Sequence, residues 1–288
     1  MESEIRLPAR AGQFYPDGPA CAAEAEALLA GAPRHEFDRP VRGAVVPHAG
    51  WAYSGALAAE GIVALCEGGV ETVVILAADH TGAPSPGALW ASGVWRTPIG
   101  DVEVDSALAE KILLSAEGLL EDRRPHLIEH SIEVQIPLLQ LAAPGVKIVP
   151  IIVPPVPEAL ALGQAIGQCV DGMDGVKLLC STDLTHAGGH FGPAHGQGDA
   201  VEAYVRANDH AILELILAGD EAGAFDHAAV HQSACGGGAI GAFLSANRGI
   251  GALLATLLSY TNSYEITHAR TPLTVDDTTV GYATVVTL

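Results

Sequence analysis

Short apolar runs alternate along this chain with longer segments whose apolar residues recur at helical spacing. The short runs are rich in β-branched residues, which is typical of buried strands. Four core strands are predicted over Arg42–Pro47, Val70–Ala78, Val146–Val153 and Val176–Cys180. Closing strands are predicted over Leu253–Tyr260 and Val280–Val286, and a strand or hairpin arm over Gly87–Pro98.

The segments between these strands have the 3.6-residue periodicity of amphipathic helices. Helices are predicted over Pro19–Ala30, Ala56–Glu67, Ser106–Ala116, His130–Leu141, Pro157–Val170, Ala200–Leu217 and Gly236–Ser245. Asp17 and Asp105 are expected to cap two of them. The alternation of strands and helices predicts an α/β fold with three layers, in which helices cover both faces of a central, mostly parallel, mixed sheet. No linker-like stretch divides the chain, so residues 1–288 are predicted to form a single domain.

Composition narrows the classes of function. Hydrophobic residues make up 49% of the chain and the net charge is −20. A surface this acidic repels phosphate backbones and anionic lipids, which argues against nucleic-acid and membrane partners. No apolar run approaches the length that spans a bilayer, and residues 1–10 lack an apolar signal core. A cytoplasmic location is therefore expected.

Polar residues cluster where the predicted strands end. His48 follows the first core strand, and His80 follows the second. The carboxyl ends of parallel strands share one edge of the sheet, where ligands bind in α/β folds. Cys235 opens a predicted helix near the same edge, so the three side chains could bind zinc, iron or copper. Asp183 and His186, three residues apart, are expected to share a helical turn and to form an acid–base pair or to support the ligands.

Simpler interpretations stay open at this point. His48 and His80 also fit ordinary loop residues, Cys235 fits a thiol at a helix start, and Asp183 fits a cap. The five cysteines include no C-x-x-C pair, which argues against a disulfide framework. No H-E-x-x-H, G-x-S-x-G or Walker A motif is present, against a zincin protease, an α/β-hydrolase or a P-loop protein.

Longer motifs resemble those of the MEMO family, whose microbial members are also called AmmeMemoRadiSam system protein B. The matching stretches are RLPARAGQFYP at 6–16, PHAGWAYSG at 47–55, DHTG at 79–82, TPIG at 97–100, HSIEVQIP at 130–137, STDLTH at 181–186, CG at 235–236 and VGYA at 280–283. The sequence departs from the family pattern at two places. This chain has Ala77-Ala78-Asp79-His80 where the family commonly has Gly-Pro-Asn-His. It has Ala187-Gly188 after His186 where the family commonly has Tyr-Gly.

The resemblance implies a fold similar to class III extradiol dioxygenases, which open catechol rings with non-haem iron held by two histidines and a carboxylate. It implies that His48, His80 and Cys235 are the metal ligands, with the cysteine in the carboxylate's place. It also implies an acid/base role for His186, with Asp183 and His130 lining the pocket. Fe(II) is the expected ion, with copper or zinc as alternatives, because a thiolate is a soft donor.

Three functions are compatible with these observations. The favoured one is a metal-binding redox protein or oxygenase acting on a small molecule. The alternative is a non-catalytic module that binds a peptide or partner protein in the same cleft, with Trp51 and Tyr53 as anchors. The third is a metal-independent enzyme that uses His186 and Asp183. The microbial family name adds radical-SAM and AMMECR1-type proteins as candidate partners.

Overall fold

The computed structural model describes residues 5–191, 195–271 and 277–288. Its strands are β1 (Ile5–Arg6), β2 (Gly43–Val46), β3 (Thr72–Ala78), β4 (Ala88–Leu89), β5 (Val94–Thr97), β6 (Gly100–Glu103), β7 (Leu120–Glu121), β8 (Lys147–Val153), β9 (Val176–Ser181), β10 (His186–Gly188), β11 (Ala255–Asn262) and β12 (Thr278–Thr287). Its α-helices are α1 (Pro19–Gly31), α2 (Trp51–Cys66), α3 (Ser106–Ser115), α4 (Ile136–Ala142), α5 (Glu158–Val170), α6 (Asp199–Leu217), α7 (Glu221–His231), α8 (Gly237–Gly249) and α9 (Ser263–Arg270).

The large sheet has a parallel centre and antiparallel flanks. Its strand order is β10-β12-β2-β9-β3-β8-β4-β7, and β11 pairs with β12. The pairs β2–β9, β9–β3 and β3–β8 are parallel, whereas β12 pairs antiparallel with β2 and β4 pairs antiparallel with β8. A smaller sheet has the order β1-β5-β6. The carboxyl ends of β2, β9 and β3 are therefore neighbours, and this places the loops that follow them side by side.

Helices cover both faces of the large sheet. A Cβ atom added to Gly61 of α2 would lie 2.5 Å from Val46 Cγ1, and one added to Gly43 would lie 2.7 Å from the Phe243 ring of α8. Residues 43 and 46 point to opposite faces because side chains alternate along a strand. The α2 helix therefore packs on one face and α8 on the other. The predicted three-layer α/β architecture is confirmed.

A third helix, α5, packs closely against α8. A Cβ atom at Gly163 would lie 2.1 Å from the carbonyl oxygen of Ala242, and one at Gly167 would lie 2.6 Å from that of Ala246. The two helix backbones can approach this closely only because residues 163 and 167 have no side chain. This packing fixes α8, whose first turn follows Cys235.

Several predicted element boundaries are wrong for local physical reasons. The α2 helix begins at Trp51 instead of Ala56, because the Trp51 amide donates to the Phe14 carbonyl across the start of the helix. Residues 130–141 form two helical pieces, since Pro137 has no amide hydrogen and fits only the first turn of α4. Gly18, not Asp17, occupies the N-cap of α1, whereas Asp105 caps α3 as predicted.

Two helices, α7 and α9, have no counterpart among the predicted elements. Both begin at recognisable caps. The Asp220 side chain accepts from the Gly223 amide, and the Asn262 side chain accepts from the Glu265 amide. In the part of the chain described here, no helix combines the length and apolar character needed to cross a membrane.

Candidate metal centre

Three neighbouring strand ends bring the candidate residues together. His48 follows β2, Asp183 follows β9 and His80 follows β3, and β9 lies between the other two strands. The Asp183 carboxylate accepts from the backbone amides of His48 (2.7 Å) and Ala49 (3.2 Å). This carboxylate therefore fixes the turn that presents the His48 ring.

Cys235 reaches the same point from the other end of the chain. Its amide donates to the Asp183 carbonyl (3.2 Å), and the Asp183 amide donates to its Sγ (3.3 Å). A Cβ atom at Gly236 would lie 2.7 Å from Thr182 Oγ1, and one at Gly238 would lie 2.1 Å from the Pro154 carbonyl oxygen. Because residues 236 and 238 have no side chain, the start of α8 can pack closely against Thr182 and Pro154.

The donor atoms of His48, His80 and Cys235 all lie within 4.8 Å of one another, and Cys235 Sγ is 3.3 Å from His48 Nε2. Ligands of one zinc or iron ion lie about 2.0–2.3 Å from it, so three such donors must converge to within a few Å. The structure brings the three predicted residues together as that requirement demands. Their metal binding stays a prediction.

Hydrogen bonds fix the ring orientation and tautomer of both histidines. The Ser181 hydroxyl donates its only hydrogen to the Ser131 carbonyl (2.6 Å). His48 Nδ1, 3.2 Å from the same hydroxyl, must therefore donate to it, which leaves Nε2 facing Cys235. His80 Nδ1 lies 3.0 Å from the Glu129 carboxylate, which accepts only, so His80 Nε2 is also free to bind a cation.

Glu129 is the main support of His80. Its carboxylate is buried and accepts from the His80 amide (2.7 Å), the His130 amide (2.8 Å) and the Ser131 amide (3.0 Å), in addition to His80 Nδ1. A second group of possible ligands, His80, Glu129 and His130, also has its donor atoms within 4.8 Å. Because these hydrogen bonds already occupy Glu129, the group with Cys235 is the better candidate site.

The charges of the three candidate ligands depend on one another. Burial raises the pKa of the Cys235 thiol, but the nearby positive charge of His48 and hydrogen bonds from both histidines lower it well below its ordinary value. The start of α8 adds its favourable dipole to the thiolate. Burial lowers the pKa of His48 and His80, but the thiolate and neighbouring carboxylates raise both above the ordinary value. The three groups therefore share protons with one another, and a cation would bind the thiolate and the two Nε2 atoms in place of these protons.

His130 lies beside the cluster and contacts the N-terminal segment. Its ring stacks on His80 (centroids 4.9 Å apart) and packs against Phe14 (4.4 Å). Burial lowers the pKa of His130, and the positive charge of His48 adds to this effect. His130 lines the cavity, as predicted.

A buried ion pair ties the N-terminal segment to this wall. Arg6 is fully buried and pairs with Glu133, while its other nitrogens donate to the carbonyls of His126 (3.0 Å) and Glu129 (2.8 Å). Glu133 also accepts from the Tyr15 hydroxyl (2.8 Å). The segment that carries Phe14 is therefore firmly attached next to His130.

The predicted Asp183–His186 pair does not form. Residues 182–185 are not helical, and His186 begins β10. Asp183 bonds the amides of the His48 turn instead, because that turn lies beside the end of β9. His186 Nδ1 lies 2.9 Å from the Leu184 carbonyl and must donate to it, which leaves Nε2 as the free nitrogen. His186 lines the cavity, and its catalytic role stays a prediction.

A cavity of about 680 Å³ opens beside the cluster. Its walls include His48, His80, His130, Asp183, His186 and Cys235, together with the aromatic residues Phe14, Phe191, Phe225 and Tyr282. This volume is in the range of small-molecule sites. His48 lines the cavity although it is only 1% exposed. It contacts the cavity from within the core.

Several contributors to the site had no role assigned to them from the sequence. The supporting residues Glu129, Ser181 and Gln135 act through side-chain hydrogen bonds that have no sequence signature, and Gln135 donates to the Pro47 carbonyl (2.8 Å). Phe225 and Gln232 belong to α7 and its end. Trp51 is buried and donates to the Val134 carbonyl, so it is not available as a partner anchor, whereas Tyr53 is exposed.

The fold and this cluster define a three-layer α/β protein with two histidines and a cysteine gathered at the carboxyl edge of its sheet. Residues 6–286 match the family model described as Memo-like protein. MEMO1 family proteins of Thermococcus onnurineus and Pyrococcus abyssi are 36% and 35% identical over 294 and 293 residues, each covering 98% of this chain and 99% of the relative. One from Methanopyrus kandleri is 35% identical and covers 98% of both chains. The chain belongs to the Memo-like family.

Proposed function

We propose that this protein is a non-haem iron or copper redox protein, of oxygenase type, that acts on a small molecule through His48, His80 and Cys235. The observation that carries the proposal is the convergence of these donors, with Nδ1 of His48 and His80 bonded to Ser181 and Glu129 so that Nε2 of each ring is the nitrogen left for a cation. Zinc suits the same donor types but has no redox chemistry. Fe(II) is the proposed ion, with copper as the alternative.

The ion would supply electron transfer and polarisation of a bound small molecule. The remaining work belongs to this chain's own side chains. Ser181 and Glu129 bind Nδ1 of His48 and His80, which orients each ring so that its Nε2 would face the ion. The aromatic walls of the cavity limit access of water to the reacting end of the substrate.

His186 is the proposed proton carrier. Its Nε2 can accept a proton from a ligand in the cavity, because Nδ1 is committed to the Leu184 carbonyl. It is not one of the three donors that lie within 4.8 Å of one another at the proposed metal site. This placement fits proton transfer by His186 next to the ion and does not require His186 to bind the ion.

The proposal is tested with protein purified under anaerobic conditions. We expect the wild type and Cys66→Ala to retain about one metal ion per chain, and Cys235→Ala to lose it while keeping its circular dichroism spectrum. Cys66 is a matched control because it is a free cysteine outside the cluster. Metal content is measured by mass spectrometry, and oxygen uptake is followed with a panel of catechols. Equal metal content in Cys235→Ala would contradict the proposal.

Radical-SAM and AMMECR1-type proteins stay proposed partners on the strength of the family alone. Co-purification of the chain with such proteins from a cell that contains them would support this, and its absence under native conditions would count against it.

A further inference from the structure

Two histidines near the end of α7 form a pair that the candidate metal centre does not use. His227 and His231 are four residues apart in this helix, and side chains at that spacing are neighbours on one helical face. Their ring centroids are 4.5 Å apart, and the two rings are inclined by 35°. The helix itself therefore holds the two imidazoles next to each other.

The pair is separate from the candidate metal centre and is open to solvent. Among residues 5–191, 195–271 and 277–288, the groups of three or more possible ligands with donor atoms within 4.8 Å contain neither His227 nor His231. Neither side chain lines the cavity. His231 is exposed and His227 is half-buried, whereas Ala228 is buried in contact with the start of α8. A cation from solvent can therefore reach the two rings without passing through the cavity.

A buried hydroxyl group supports one of the two rings. His227 Nδ1 lies 2.8 Å from the hydroxyl oxygen of Ser233, which is fully buried. This hydrogen bond fixes the ring and leaves Nε2 as the nitrogen for a cation, which is how metal-binding histidines are commonly supported. Burial lowers the pKa of His227, and a positive charge on His231 adds to this effect. Near neutral pH the His227 ring therefore carries no charge that would repel a cation.

The spacing of the pair suits transition-metal ions. Imidazole nitrogens bind zinc, copper and nickel, and in zinc sites of the H-E-x-x-H type two histidines four residues apart on one helix bind the same ion. Residues 227–231 read HAAVH, so they lack the glutamate of that motif but keep its histidine spacing. The net charge of −20 also attracts cations to the surface of this chain.

We propose that His227 and His231 form a second, solvent-accessible site for a divalent transition-metal cation of the Zn(II), Ni(II) or Cu(II) class. The two imidazoles supply two ligands, and water occupies the remaining positions, so this site binds its ion more weakly than a site with three protein ligands. The inference does not rest on the proposed function, because it uses none of the donors of the candidate metal centre.

Zinc titration tests the inference in a background that lacks the thiolate of the candidate metal centre. Zn(II) is added to metal-free Cys235→Ala protein at neutral pH, and binding is measured by calorimetry. We expect this protein to bind zinc and the added substitution His231→Ala or His227→Ala to weaken that binding at least tenfold. A lost ligand should cost at least as much as a lost supporting hydrogen bond, which costs about 10–100-fold. Circular dichroism verifies that each variant is folded.

Two control variants separate the geometry of the pair from the number of histidines. Ala222→His, combined with His231→Ala, restores two histidines to α7 at exposed or half-buried positions five residues apart, which do not face each other. This variant should bind zinc as weakly as His231→Ala alone. His210→Ala removes an exposed histidine of α6 from the Cys235→Ala protein and should leave zinc affinity unchanged.

The possible outcomes also separate this inference from the proposed function. Failure of Cys235→Ala protein to bind zinc up to about 1 mM would overturn the inference, as would an affinity that His227→Ala and His231→Ala leave unchanged. Recovery of tight binding by Ala222→His would show that the pair has no special geometry. If Cys235→Ala keeps the ion of the wild type, the proposed function fails, whereas the second site is still judged from the difference between the histidine variants.

Discussion

Glu129 and Asp209 are both buried carboxylates that support loops of the cavity, but their surroundings shift the pKa in opposite directions. Burial raises the pKa of Glu129, but hydrogen bonds from His130 and His80 lower it below the ordinary value. Asp209 accepts from the Thr185 amide and the Tyr260 hydroxyl (both 2.9 Å), and burial still raises its pKa to about 6.

The difference shows how the two sides of the cavity are built. On the metal-ligand side, several hydrogen-bond donors keep Glu129 ionised next to His80. Beneath the loop that carries His186, Asp209 has two neutral donors and binds a proton as the pH falls through about 6. The first side is suited to hold a cation, whereas the loop of the second is supported by a carboxyl group that changes its charge near pH 6. The predictions below test this division.

The largest expected effect belongs to His186. His186→Ala should lower turnover by roughly 10²–10⁴-fold, the range for loss of a general acid or base, and should leave metal content unchanged. His210→Ala is the control, because His210 is an exposed histidine of α6. Turnover and metal content are measured on the same preparations. Loss of metal comparable to that of Cys235→Ala would make His186 a ligand, and full activity would remove its proton-carrier role.

Removal of the buried ion pair that attaches the N-terminal segment should cause a large loss of stability. Arg6→Ala should lower the free energy of unfolding by about 3–5 kcal/mol, because it leaves the Glu133 carboxylate buried without its cation. Arg34→Ala removes an exposed ion pair with Glu67 and should cost less than about 1 kcal/mol. Urea denaturation measures both. Equal effects would mean that the buried pair does not hold the segment, and adding Glu133→Gln to Arg6→Ala should recover part of the loss.

Asp209 gives a pH-dependent prediction. Its pKa is raised from 3.8 to about 6, so the folded state binds the proton more tightly than the unfolded state. This contribution to stability is fully present below the unfolded pKa and is lost as the pH rises through about 6. Between about pH 4 and pH 7 the wild type should lose about 2.4 kcal/mol relative to Asp209→Asn. Urea denaturation at several pH values checks this, and parallel curves for the two proteins would contradict it.

Glu129 should show the effect of orienting a ligand. Glu129→Gln keeps the size of the side chain but removes the acceptor that fixes His80 Nδ1, so metal affinity should fall about 10–100-fold. Glu110→Gln, an exposed change on α3, should leave affinity unchanged. Anaerobic competition with a chelator gives the affinities. No change in Glu129→Gln would mean that the carboxylate serves stability alone.

Some features of the fold and of the candidate site could be predicted from the sequence, and others could not. His48 and His80 are predictable because each directly follows a core strand, and strand ends of a parallel sheet must meet. The three-layer arrangement is predictable from the alternation of helices and strands. Asp183 was expected beside His186, but the turn after β9 directs it to the His48 amides, and no periodicity encodes that turn.

The part of the cavity wall that α7 contributes, through Phe225, Ala228 and Ala229, is less predictable for a different reason. Its helix α7 contains Gly223 and little contrast between apolar and polar faces, so only the Asp220 cap marks it. Charged residues mostly lie on the surface, yet Glu129 and Arg6 are buried because each forms hydrogen bonds with distant segments. Partnerships of this kind depend on the completed fold.

The smallest expected effect concerns Phe191, an aromatic residue of the cavity wall. It tests whether this part of the wall acts independently of the metal ligands. Phe191 is 48% exposed, and its ring lies edge-on to His186 with centroids 4.8 Å apart. Phe191→Ala should change the free energy of unfolding by less than about 0.5 kcal/mol and leave metal content intact, because little apolar surface is lost from the core. It should weaken binding of a catechol probe about twofold to tenfold, as expected for one lost aromatic contact. Leu257→Ala, a similarly exposed apolar change on β11, should alter neither property. Calorimetry, metal analysis and urea denaturation are carried out on both variants. A loss of metal in Phe191→Ala would show that Phe191 and the metal ligands act as one unit. Unchanged probe binding would show that the ligand does not reach Phe191.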